Sequence, residues 1–109
     1  MPTTYKVLGQ SNPSATTATT LYTAPAATQT IVSTITVCNQ ASSAATYRIA
    51  VRVAGAALAA NQYVAYDVSL PANATDTLTL GVTLGATDVI TVYASTATMS
   101  FNAYGSELS

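Results

Sequence analysis

The chain has 109 residues, a length for one domain with a single core. Charged residues make up 6% of it, against about 25% in ordinary soluble domains, and the net charge is −1, with no histidine and one cysteine. That balance excludes a basic face for nucleic acid, a histidine-based catalytic or metal site and an intrachain disulfide. A membrane-spanning helix is excluded as well, because Thr, Ser or Asn interrupts every apolar run.

In chain order, TYKVLGQ (4–10) reads as a first strand, followed by the polar loop SNPSATT. TTLYTA (19–24) is a short strand stopped by Pro25. TQTIVSTITVCN (28–39) is long and rich in β-branched residues. Strict alternation there places Ile31, Ser33, Ile35 and Val37 on one face, and Val32, Thr34, Thr36 and Cys38 on the other. TYRIAVRVA (46–54) alternates most clearly, with Tyr47, Ile49, Val51 and Val53 opposite Arg48, Ala50 and Arg52. GAALAANQ (55–62) is too short for a stable helix and connects to YVAYDVSL (63–70), which Pro71 ends.

DTLTLGVTL (76–84) alternates leucine and valine with threonine and glycine, giving an outward face that is neither apolar nor charged. DVITVYA (88–94) and ATMSFNAYG (97–105) close the chain as a hairpin over Ser95 and Thr96. No stretch has a helical period. Seven or eight short strands with regular turns predict an all-β fold: a single antiparallel β-sandwich over 1–109, Ig-like or jelly-roll-like.

Chemistry is sparse. The four carboxylates are Asp67, Asp76, Asp88 and Glu107, with no calcium-loop series among them. Asp76 and Asp88 sit at strand starts, where Asp caps the local backbone. Arg48 and Arg52 project from one strand face about 13 Å apart at about 3.3 Å per residue. They suit either solubility or pairing with a carboxylate, Asp67 or Glu107, on a neighbouring strand or subunit. Tyr47, Tyr63, Tyr66 and Tyr93 lie within strands, which favours core or interface roles over a sugar-stacking platform. Cys38, inside a strand, reads as a half-buried thiol. No enzyme activity and no cofactor or metal are expected.

The segments YKVLGQSNPSATTATTLYTAP, VSTITVCNQ, YRIAVR, YVAYDVSL, LGATDVITVYAS and SFNAYGSE together resemble a family of small virion structural proteins. These belong to tailed bacteriophages, notably those of cyanobacteria and other aquatic bacteria. KVLGQSNPSATT and FNAYGSE are the most specific parts. The resemblance implies a structural role in the particle and carries over no functional residues. Threonine-rich faces pack on identical neighbours through hydroxyls and methyls without burying ions, and sheet edges of an uncharged protein invite pairing.

The expected function is therefore capsid decoration or cement on the outer head surface. Partners are the major capsid protein and further copies of the chain, a trimer favoured. Arg48, Arg52, Asp67, Thr77, Thr79 and Thr83 are the expected contact residues. A tail, neck, baseplate or fibre accessory is the alternative, with Asn61, Gln62 and nearby tyrosines touching host glycans. A stand-alone carbohydrate-binding or adhesin module is the third reading.

Overall fold

The computed structural model describes residues 2–109. Nine strands form among them: β1 (Thr3–Ser11), β2 (Thr19–Thr23), β3 (Gln29–Asn39), β4 (Ala45–Arg52), β5 (Tyr63–Leu70), β6 (Thr75–Leu78), β7 (Val82–Leu84), β8 (Val89–Ala94) and β9 (Met99–Leu108). Helical geometry is confined to two 3-10 turns, Val53–Gly55 and Ala60–Gln62, in the alanine-rich connection. Among the described residues no helix is long and apolar enough to cross a membrane.

One sheet runs β1-β9-β3-β6, with β7 also on β3; the other runs β2-β8-β4-β5. Every ladder is antiparallel. β6 pairs with β3 over Ile35–Cys38 and β7 over Thr30–Val32, so the two act as one interrupted strand. Counted that way, nine strands become eight in two sheets of four. The chain then crosses between sheets at every connection except β4–β5. That is the connectivity of a jelly roll, and it decides between the two sandwich types.

The interruption corrects the expectation of one continuous strand over 76–84. β3 carries a bulge in which Ser33 and Thr34 together oppose Tyr104. Residues 79–81 span that bulge, with Gly81 at φ +64° and Leu80 turned out to solvent. The bulge also corrects the face assignment in β3. Val32, Ile35 and Val37 are buried, whereas Ile31 is exposed and Thr34, Thr36 and Cys38 are half-buried or open. One extra residue switches the inward parity from even to odd positions.

Between the sheets, Tyr47, Phe101, Ile35, Ile49, Leu70, Ile90, Met99 and Val32 are fully buried. Tyr47 and Phe101 meet edge to face at 6.1 Å between ring centroids. Two tyrosines cross the core to carboxylates of the opposite sheet. Tyr47 in β4 donates to Asp76 of β6 at 2.8 Å. Tyr22 in β2 donates to Glu107 of β9 and also bonds the Thr30 hydroxyl at 2.9 Å. Asp76 is thus a cross-sheet acceptor where a local cap was expected. Its strand start is paired already in the β3 ladder, which leaves the carboxylate free to reach inward. Asp88 does cap, accepting the Gly85 and Ala54 amides at 2.9 and 2.8 Å.

At the opposite end, buried Asn39 donates to the carbonyls of Ser43, Leu70 and Pro71 and accepts from Ala41 N–H and the Thr98 hydroxyl. It pins three connections with one amide. Among the described residues no buried side-chain nitrogen or oxygen lacks a partner.

Candidate functional site

The two outer faces of the sandwich differ in chemistry. On the β2-β8-β4-β5 sheet, β5 is bulged: Val68 opposes Tyr47 and Ala65 opposes Ile49, so both Tyr66 and Asp67 face Arg48. Asp67 takes φ +48°, which a short polar side chain tolerates. Arg48 forks onto Asp67 with Nε–Oδ1 at 2.6 Å and Nη2–Oδ2 at 3.2 Å. Its guanidinium lies 4.2 Å from the Tyr66 ring centre and 4.4 Å from that of Tyr93. Hydrogen bonding to Asp67 raises the Arg48 pKa, and the same bond holds the Asp67 carboxyl below its usual range.

Arg52 takes a different role. It donates to the carbonyls of Ala56 and Gly55 and to the Thr91 hydroxyl, tying the 3-10 connection to the sheet. The two arginines share a face, as their spacing predicts, but only Arg48 finds a carboxylate. Beside them Leu58, Ala59, Ala60, Tyr63 and Tyr66 line an open groove of about 590 Å³. Tyr63 and Tyr66 meet edge to face at 4.9 Å, and Tyr66 is 57% exposed. Gln62 is occupied with Ala59 N–H and the Ala57 carbonyl.

The outer face of the other sheet carries no charge at all. Its cross-strand rows run Tyr5–Ser106–Ile31–Thr83, then Val7–Tyr104–Thr34, then Gln10–Asn102–Thr36–Thr77, then Ser100–Cys38–Thr75. Thr77, Thr79 and Thr83 are exposed, and Thr77 and Thr83 stand on this face. Tyr5 at 83% exposure, with exposed Val7, Ile31 and Tyr104, forms an apolar strip across β1, β9 and β3. Cys38 is half-buried among hydroxyls, with Ser100 and Thr75 as its cross-strand neighbours.

All seven charged side chains are engaged elsewhere. Lys6 pairs with Glu107 at 3.1 Å beneath the face, and Arg48 pairs with Asp67. Arg52, Asp76 and Asp88 hold carbonyls, a phenol and amides respectively. The few charges serve the fold's own joints and leave one broad face neutral.

Sequence reasoning missed the apolar strip. In β1 the alternation of Tyr5 and Val7 around Lys6 suggests that the apolar pair is buried. The structure inverts this, because Lys6 turns inward to Glu107. The signal that would reveal it is Glu107 at an inward position on β9, nearly the whole chain away, and it cannot be known before the pairing is.

Burial, then hydrogen bonding to Glu107, pushes the Tyr22 phenol up to about 12. A phenol with a raised folded pKa contributes stability that is complete below its unfolded value near 10 and disappears as pH rises toward 12. The urea midpoint is therefore expected to hold from neutral pH to about 10 and to fall above it. In Tyr22→Phe the fall in that window should be shallower, at a neutral-pH loss of about 1–3 kcal/mol from the stranded Thr30 and Glu107.

No protein-family model matches the chain, and neither the curated proteins nor the solved structures contain a significant match to it.

Proposed function

We propose that the chain is a non-enzymatic structural protein of a bacteriophage particle, with decoration or cementing of the outer capsid surface as its role. The observation that carries this reading is the neutral outer face of the β1-β9-β3-β6 sheet. A surface that meets water alone gains solubility from charge, and this chain withholds charge from the whole outer face of one sheet. Burying hydroxyls and methyls against a partner avoids the desolvation of ions. The segments that resemble small phage virion proteins point the same way, and jelly rolls recur among viral capsid domains, which is support by analogy of fold only.

The groove at Tyr63 and Tyr66 favours a second reading, a tail or neck accessory contacting a host surface. Exposed Tyr66, steadied by Arg48, offers an aromatic edge beside small alanines. Copy number separates the two. In purified particles, isotope-labelled peptides quantify this chain against the major capsid protein. A simple stoichiometric ratio to the capsid protein is expected for decoration. A few copies per particle would favour the tail or neck reading, and absence from particles would overturn both.

A further inference from the structure

A sandwich has four sheet edges, and three of them here are blunted. β5 carries the bulge at Tyr66–Asp67 and a second register shift toward Tyr63. The β6–β7 edge is broken at residues 79–81 by Gly81. β2 is five residues long with a register shift at Leu21, and Pro25 follows it. Such devices prevent strands of other molecules from adding to an edge.

β1 has none of them over Thr3–Val7. Those five residues are all exposed and in regular register with Leu108–Tyr104 of β9, and β1 pairs with no other strand. The register shift comes only at Leu8, where the strand passes against β2. The one charge on the segment, Lys6, is bound to its own Glu107.

We propose that this open edge pairs with the same edge of a second copy, antiparallel across a two-fold axis through Tyr5. With the axis normal to the sheet, a residue at the centre meets its own copy. Centring on Tyr5 sets Tyr5 against Tyr5 of the partner, Thr3 against Val7, and Thr4 against Lys6. Centring on Lys6 sets ammonium against ammonium. Centring on Thr4 sets Thr3 against Tyr5 and Pro2 against Lys6, with no aromatic pair. Only the Tyr5 register puts an aromatic pair on the outer face and opposes no like charges.

The same register joins the two apolar strips of Tyr5, Val7, Tyr104 and Ile31 into one. Because both faces are neutral, the halves meet without repulsion, which makes a second copy the fitting occupant. A two-fold pair replaces the trimer expected from sequence. The inference concerns the free chain and does not depend on the virion reading.

The test uses the full chain in solution. Sedimentation equilibrium should give a dimer, and Tyr5→Lys, at a position already open to water, should weaken it at least about tenfold. Opposed Cβ atoms in such a pair lie about 4.5–5.5 Å apart, near disulfide reach. Tyr5→Cys on a Cys38→Ser background should therefore crosslink under mild oxidation, while Thr77→Cys on that background should not. Amides of residues 3–7 should exchange more slowly as protein concentration rises. A monomer or trimer by sedimentation, or crosslinking at Thr77 but not at Tyr5, overturns the proposal and leaves the copy-number test of the virion reading untouched.

Discussion

Gly105→Ala is expected to destabilise the chain by about 3 kcal/mol or more, at the upper end of overpacking effects. Gly105 lies on β9, between β1 and β3, opposite Lys6 on one side and Val32 on the other. A Cβ there would overlap the carbonyl oxygen of Ile31 and press on the Leu8 side chain at 3.1 Å. The obstruction is backbone, so no rotamer change relieves it. Either β3 moves off β9, breaking its ladder beside the Ser33 bulge, or β9 shifts and takes β1 with it. For a domain of this size the midpoint of thermal unfolding should fall by about 10 °C or more. Tyr104→Ala, next door on the exposed side, serves as the comparison and should change the midpoint by far less. Equal midpoints for Gly105→Ala and the wild type would show that β3 and β9 are more pliant than this close approach implies.

Why glycine stands at 105 was not legible in the sequence, where it only marks the end of an alternating run. The requirement comes from β3, more than 70 positions away, whose bulge drives a carbonyl across the neighbouring strand. The same non-local cause hid the break at 79–81. What the sequence did expose were the features set by immediate neighbours. Pro25 and Pro71 bound β2 and β5, and alternation in YRIAVR placed Tyr47 and Ile49 inside and both arginines outside. The pairing of Arg48 with Asp67 was also within reach, because a short excursion from β4 to β5 brings the two strands together. The inward Lys6 and the neutral face above it depend on β1 meeting β9 across nearly the whole chain. No local pattern reports that.

The distribution of charge follows from the topology. A jelly roll brings its first and last strands side by side, and here that junction receives Lys6 and Glu107 with Tyr22 clasping it from the other sheet. Asp76 and Tyr47 form the matching clasp between β6 and β4. Each clasp links the sheets where their strands are not covalently continuous. Spending carboxylates inside is what empties the outer face, so the neutral surface and the cross-core tyrosines are two consequences of one allocation of very few charges.

Tyr47→Ala should therefore be the most damaging side-chain truncation, at about 4 kcal/mol by the usual cost of deleting a buried aromatic. Tyr47 is 1% exposed, packs its ring on Phe101 and ends on Asp76. Tyr47→Phe isolates the hydroxyl. It keeps the ring against Phe101 and leaves Asp76 without its donor, so about 1–3 kcal/mol is expected. The two losses separate packing from clasp. A third measurement confirms the chemistry: burial first, and then the bond to Asp76, hold the Tyr47 phenol above its ordinary range. Ultraviolet titration of the folded wild type should then show two late-ionising phenols, Tyr22 and Tyr47, with one of them missing in Tyr47→Phe. A Tyr47→Phe chain as stable as the wild type would mean that water replaces the phenol at Asp76 without loss, and that ring packing of residue 47 on Phe101, not the clasp, joins the sheets on that side.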